Sequence, residues 1–428
     1  MKKNVYELAM QRIKLLFNEF DNIYVSFSGG KDSGVMLNLC IKYIRDNNLK
    51  RKIGVFHMDY EVQYSETTKY IDRTLQANSD ILEVYRVCVP FKVNTCTSMH
   101  QTYWRPWDDD YKDFWVREMP KDCYRKTDFP FYDSEIWDSE FYILFAQWYH
   151  LLKQARKTCC LVGIRTQESS HRWRTIYSKN RYSMYYNLKW TRQIFDNICN
   201  AYIIHDWQTT DIWTANGRFS WDYNRLYDLY YQAGVPLEKQ RVASPFILAA
   251  QESLRLYRAI DPDTWGKMVC RANGINFTAI YGNTSALAQK KVTLPPGYTW
   301  EKYMHFLLSS LPEDTRMNYL QKLSVSINFW RKRGGCLPED MIRELQNSGI
   351  KIEVLEHTNY KTDKQPVRME YQDDINISGF KSLPTFKRMC ICILRNDHLC
   401  KYMGFAKTKK EIEYRKNIMD FYQDIING

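Results

Sequence analysis

Ile23-Tyr24-Val25-Ser26-Phe27-Ser28-Gly29-Gly30-Lys31-Asp32-Ser33 decides how the rest of the chain is read. Its first five residues favour an extended strand and run straight into a glycine pair. Beyond the serine, Val35, Met36, Leu39, Cys40, Tyr43 and Ile44 share one face at helical spacing. The order is therefore strand, tight turn, helix. Glycines at such a turn let backbone approach a ligand, and the N–H groups opening the helix attract an anion. Lys31 adds a point charge, while Ser28 and Ser33 add hydroxyl donors.

Working outward, Tyr6 to Phe20 spaces its apolar residues as an amphipathic helix, and Ile53 to Met58 forms a second buried strand. Ser65 to Asn78 reads as a helix and Ile81 to Val87 as a third strand. A fourth strand, Cys159 to Ile164, follows a helix over Ser134 to Arg156. Alternating strand and helix predicts an α/β, doubly wound parallel sheet with its ligand at the carboxyl ends of the strands. The insert over residues 100–133 carries Trp104, Trp107, Phe114, Trp115 and Phe129 among charges. It reads as a lid or wall over a nucleotide, or as an interface loop. Thr209 to Gly234 is helical in pattern. Expected domains are 1–240 for the α/β part and 241–428 for a mostly helical C-terminal part. Helices are expected there over Ala249 to Ala259, Thr299 to Ser309, Thr315 to Arg333, Glu339 to Ser348 and Thr408 to Ile426, with Thr358 to Gln372 as a loop.

The bulk numbers narrow the class. A 428-residue chain with 44% hydrophobic residues can build two cores. No apolar run is long enough to span a bilayer, and no signal-peptide core follows Met1, so the expected location is cytoplasmic. Twelve scattered cysteines suggest reduced thiols. Cys390, Cys392 and Cys400 could ligate a metal, but buried apolar cysteine fits their spacing better. A net charge of +12 suits anionic partners, nucleotides first and nucleic acid as a minority reading.

Two further stretches complete a candidate site. His57-Met58-Asp59-Tyr60-Glu61 closes the second strand, and Mg²⁺ takes one or two carboxylates plus phosphate oxygens. Asp32 and Asp59 are the metal candidates, with Glu61 next. Gly163-Ile164-Arg165-Thr166-Gln167-Glu168-Ser169-Ser170-His171-Arg172 closes the fourth strand. There Gly163 allows close approach, Arg165 can fork onto phosphate oxygens, Glu168 can hold that guanidinium, and Arg172 and Arg174 extend the positive wall.

Ser28 to Ser33 lacks the longer glycine spacing of a Walker A loop. It resembles instead the pyrophosphate (PP) loop of N-type ATP pyrophosphatases and phosphoadenosine phosphosulfate (PAPS) reductases. Gly163 to Arg172 resembles the same superfamily's second motif. Asp206-Trp207, Tyr223 to Gly234, Asp261 to Trp265 and Leu383 to Lys407 are similar to one bacterial subfamily, that of the immunoglobulin-binding regulator A proteins, which carry an extra C-terminal domain. The resemblance implies an adenine-nucleotide fold, ATP or PAPS with Mg²⁺, and a ParB-like protein partner acting through the C-terminal domain. Lys31, Asp32 and Arg165 become the catalytic candidates. Ser26, Ser28, Gly29, Gly30, Ser33, His57, Met58, Asp59, Gly163, Glu168 and Arg172 join them in nucleotide binding. True PAPS reductases attack sulfur with a cysteine near the C-terminus, and Tyr414 to Gly428 contains none. The expected chemistry is therefore cleavage between the α- and β-phosphates of ATP, by adenylylation or hydrolysis. A nucleotide-sensing regulatory subunit is the alternative, and sulfate reduction a weaker one.

Overall fold

The computed structural model describes residues 4–177, 184–251, 253–282, 284–288, 292–357, 364–377 and 383–405. They form two compact units. The first comprises Met1–Val93, Arg105–Ser244 and Leu256–Arg271, and the second Asn94–Trp104, Pro245–Arg255 and Ala272–Gly428.

The first unit begins with α1 (Val5–Glu19), which Asn4 caps in a reciprocal pair with Glu7. Then come β1 (Asn22–Ser26), α2 (Lys31–Asp46), β2 (Ile53–Met58), α3 (Ser65–Ala77) and β3 (Leu82–Val87). Two short strands, β4 (Val93–Ser98) and β5 (Gln101–Trp104), pair with each other. The first unit resumes with α4 (Asp138–Leu152), β6 (Thr158–Val162), α5 (Ser170–Tyr177), β7 (Thr191–Phe195), β8 (Ile198–Ala201), α6 (Thr209–Phe219) and α7 (Leu226–Gln232), and ends with α8 (Tyr257–Ile260) and α9 (Pro262–Met268).

Its sheet runs in the order β3-β2-β1-β6-β8-β7. Every neighbouring pair is parallel except β7 with β8, an antiparallel hairpin at the edge. The doubly wound parallel sheet is thus as expected, with one antiparallel strand added. One face buries Ile13 and Leu16 of α1, Val35 and Leu39 of α2, Ile71 of α3 and Ile212 of α6. The other face is aromatic. Tyr24 lies 5.0 Å from Tyr149, and Phe56 stacks on Phe145 at 3.9 Å between ring centroids. Phe129 and Phe131 of the insert reach this layer through Phe141, at 5.0 and 5.2 Å. Trp107 and Phe129 are buried, so these rings serve packing rather than a mobile lid. Phe114 alone of the five aromatics quoted from the insert is exposed.

The second unit contains α10 (Ile275–Tyr281), α11 (Trp300–Ser309), α12 (Glu313–Asn328), β9 (Gly335–Leu337), α13 (Glu339–Asn347), β10 (Ile352–Val354), β11 (Gln365–Met369) and α14 (Phe386–Leu394). Met304, Leu307, Tyr319, Leu323, Met389 and Ile393 make one core. Leu337, Ile342, Leu345 and Val367 make another beside the antiparallel sheet β10-β11-β9. Part of the expected 358–372 loop is strand β11, because pairing with both neighbours completes its backbone hydrogen bonds. The expected 249–259 helix is instead two short 3₁₀ turns followed by α8. The expected 408–426 helix lies outside the described residues. Cys390, Cys392 and Cys400 are buried in the helical core.

Candidate functional site

Strand order fixes where a ligand can enter. β1 has β2 on one side and β6 on the other, so the chain leaves the centre of the sheet in opposite directions. In open α/β sheets the crevice at such a reversal, beyond the carboxyl ends, is the binding position. Ser28–Ser33 follows β1 and Gly163–Arg165 follows β6, and Ser26 pairs directly with Val162. Two stretches far apart in sequence therefore end side by side.

The loop is prearranged by its own side chains. Ser28 N–H donates to Ser33 Oγ at 3.2 Å, the two serine oxygens lie 3.0 Å apart, and Gly30 N–H donates to Ser28 Oγ at 3.3 Å. Gly29 has φ +73°, and a Cβ there would lie 2.8 Å from Ile71 Cδ1, so glycine is required. Asn224 Nδ2 donates to Gly29 O at 3.0 Å. Lys31, Asp32 and Ser33 open α2, whose first-turn N–H groups have no carbonyl within the helix. Lys31 N–H donates to the Tyr227 hydroxyl at 2.9 Å, leaving those of Asp32 and Ser33 as anion donors.

Lys31 is 4% exposed, and its ammonium donates to Gln240 O at 2.9 Å with Asp32 Oδ2 3.4 Å away. Burial lowers its pKa against the pull of Asp32. Across the crevice, a Cβ on Gly163 would sit 3.1 Å from Ser33 N, which keeps β6 tight against the start of α2. Arg165 is 2% exposed. Its Nε donates to Asp32 Oδ1 at 2.5 Å, and one terminal nitrogen reaches Gln167 Oε1 at 3.1 Å and Thr209 Oγ1 at 3.3 Å. The other lies 3.7 Å from Glu168. Glu168 also pairs with Arg172, and burial pushes its carboxyl pKa up. Lys31, Arg165 and Arg172 outnumber Asp32 and Glu168, an excess suited to a polyphosphate. The side chain of Arg174 lies outside the described residues.

The other expected residues fall into a second cluster. Ser26 and Met58, both half-buried, end their strands at the same sheet edge. His57 is fully buried, with Nδ1 2.8 Å from Phe27 O and no partner for Nε2 among the described residues. Burial lowers its pKa to about 4 from an ordinary 6.5. Below pH 6.5 the unfolded chain takes up the proton first, so this residue removes stability as pH falls from 6.5 towards 4, and none above. The expected loss is roughly 3 kcal/mol, read as a falling denaturant midpoint over that range and absent in a His57→Asn variant.

Asp59 is fully buried too, but its carboxylate is held by arginines. Arg86 Nε donates at 3.0 Å, and Arg117 pairs with the other oxygen. Burial pushes its pKa up, and the two guanidinium groups overcome that to hold it well below the carboxylate range. Glu61 is saturated likewise, by Arg271 at 2.6 and 2.8 Å and by the N–H groups of Trp107 and Val116 at 2.8 and 3.1 Å. These residues do not fit a cation shared by Asp32 and Asp59, because each carboxylate is already neutralised by guanidinium or ammonium. No group of three or more His, Cys, Asp or Glu suited to a metal occurs among the described residues.

Residues 22–233 match the phosphoadenosine phosphosulfate reductase domain, and residues 234–414 match a domain of unknown function, DUF3440. The chain is 31% identical to the uncharacterized protein YbdN of Escherichia coli (strain K12), over 97% of this chain and 93% of that one. The chain belongs to the YbdN family. Its first unit has the PAPS reductase-like PP-loop nucleotide-binding fold. Among solved structures this YbdN-family chain resembles FMN adenylyltransferase from Candida glabrata at 13% identity, with TM-score 0.31, over 52% of this chain and 57% of that one. It resembles PAPS reductase from Candida auris at 13% identity, with TM-score 0.29, over 53% and 85%. The U34-tRNA thiolase NcsA from Methanococcus maripaludis is 8% identical, with TM-score 0.31, over 65% and 79%. Likenesses at this level reach neither substrate nor activity. In this YbdN-family chain no described helix is long and apolar enough to cross a membrane.

Proposed function

We propose that this protein binds ATP in the crevice between Ser28–Ser33 and Gly163–Arg172 and cleaves it between the α- and β-phosphates. A nucleophile on a second substrate, or water, attacks the α-phosphorus, and pyrophosphate leaves. The residues available for this are the α2 N-terminus and Ser28 for the pyrophosphate, with Lys31 and Arg165 for the charge that develops on it. The observation carrying the reading is the junction itself, where a prearranged glycine loop and a buried arginine end adjacent parallel strands at the topological switch point. Mg²⁺ enters this reading only as the ion a nucleoside triphosphate carries on its own phosphates. A cytoplasmic location belongs to the same proposal.

Incubation with ATP, and separation of the nucleotide products, tests it. Wild type is expected to release AMP and pyrophosphate, and Lys31→Ala to lower that rate by about 10²–10³-fold. Finding ADP alone would sink the reading.

A second reading, a nucleotide-sensing subunit with a ParB-like partner, draws support from the ties on Lys31. The Lys31 ammonium is held by Gln240 O and the Lys31 N–H by the Tyr227 hydroxyl, so an anion that shifts this residue would pull on both partners. Occupancy would then be felt along the 227–240 segment. A rise in Tm with ATP but no AMP assigns this reading. Sulfite release from PAPS would assign the reductase-like one instead.

A further inference from the structure

The part of the insert that does not reach the aromatic layer frames a second concave site. Trp107 Nε1 donates to Asp59 O at 2.8 Å and Trp115 Nε1 to Asp108 O at 2.9 Å, and the two indole rings meet edge to face at 5.3 Å. Arg117 lies over the Trp107 ring at 4.8 Å and pairs with Asp59. These fixed groups border a cavity of about 700 Å³ just past the carboxyl end of β3, a volume ordinary for a small-molecule site. Buried Cys88 and Trp107 lie at its floor, and half-buried Trp115 and Met119 give it an apolar wall. No residue of Ser28–Ser33 or Gly163–Arg172 lines it, and β2 separates β3 from the strand that carries the glycine loop. The site stands apart from the nucleotide crevice and does not depend on that reading.

Charge decides what fits there. Of the cations in the lining, Arg117 is committed to Asp59 and Lys126 to Asp109. Lys112, Arg125 and Lys267 are exposed at the rim, with no carboxylate partner among the described residues. Asp113 and Glu118 are the carboxylates left over, so the lining carries an excess of one positive charge. A monoanion balances that excess, whereas a dianion brings a second charge that nothing in the lining meets. The apolar wall favours a flat ring, whose face packs on indole while its acid group stays at the wet rim.

The geometry points to a binding site for a small aromatic monocarboxylate. Its ring lies against Trp115 and Met119, and its carboxylate is drawn by the unpaired cations of the rim. Because Trp107, Trp115 and Arg117 are already fixed by their own partners, little ordering is left for the ligand to impose on that wall.

Sodium benzoate is the probe, and the indole N–H resonances of the full chain, isotope-labelled at tryptophan, are the readout. A Trp115→Phe variant assigns the Trp115 signal. Benzoate should shift that signal saturably, and benzyl alcohol, a similar ring without the charge, should bind about tenfold more weakly. Phthalate, with its second carboxylate, should bind no more tightly than benzoate. Lys112→Ala combined with Lys267→Ala should weaken benzoate by about tenfold. Both lysines are exposed, so the fold is spared, and unchanged positions of the other indole signals verify that. A Trp115 signal that benzoate leaves unmoved, equal binding of benzoate and benzyl alcohol, tighter binding of phthalate, or full benzoate affinity in the double variant overturns the proposal.

Discussion

Glu61→Ala is expected to destabilise the first unit by about 3–5 kcal/mol, the usual consequence of stranding one member of a buried ion pair. Glu61 is 0% exposed, and the Arg271 guanidinium that forks onto both its oxygens is buried with it. Alanine would leave that cation without its carboxylate and the N–H groups of Trp107 and Val116 without acceptors. Glu61→Gln keeps the shape and two acceptor lone pairs but removes the charge, so its loss should be smaller. Replacing both partners, with Glu61→Leu and Arg271→Met, should recover part of the loss, since no buried charge remains while the two N–H groups stay unmet. Amide exchange in β1, β2 and β3 reads this unit without averaging over the second. A loss below 1 kcal/mol in Glu61→Ala would show that the pairing does not hold the insert to β2.

That same cluster marks where reading the sequence stopped. A strand ending in Asp59 and Glu61 has the residue types of a cation site, and nothing local distinguishes the two uses. The decision rests with Arg86, Arg117 and Arg271, which lie 27, 58 and 210 positions from the carboxylates they neutralise. Glu61 itself adopts φ +64°, a left-handed conformation that costs a non-glycine residue about 1–2 kcal/mol and is tolerated here because four hydrogen bonds fix its carboxylate. Local pattern could not reveal it. The Ser28–Ser33 loop differs because its conformation is written within six residues, by Gly29 and the Ser28–Ser33 hydroxyl pair. Strand periodicity then carried the order of β1, β2, β3 and β6, and with it the place of Gly163–Arg165. The partners that tie Lys31 down, Tyr227 and Gln240, had a fainter signal. Thr209 to Gly234 was readable as helical in pattern, and it holds α6 and α7, but the docking of α7 on the loop was not. The insert's aromatic density was visible. Its use as interior packing depended on Phe141, Phe145 and Trp148 of α4, which only the fold brings beneath it.

Arg165→Met should produce the largest functional loss outside the loop, about 10²–10³-fold in AMP formation, because a guanidinium positioned for developing phosphate charge is preorganised by burial. Its four partners already hold it in one pose: Asp32, Gln167, Thr209 and Glu168. Methionine fills much of the volume without charge, and Asp32 keeps Lys31 as a counter-ion. The stability cost is therefore expected to stay below that of Glu61→Ala, although Glu168 loses one of its two cations. Arg165→Lys separates charge from geometry. Lysine restores the cation but cannot span Asp32, Gln167 and Thr209 with one rigid fork, so it should recover stability more fully than turnover. If Arg165→Lys restores both in the same proportion, Arg165 acts only as a buried counter-ion for Asp32. If turnover stays low while the denaturant midpoint returns, the fork itself orients phosphate, and Asp32 is the residue that aims it.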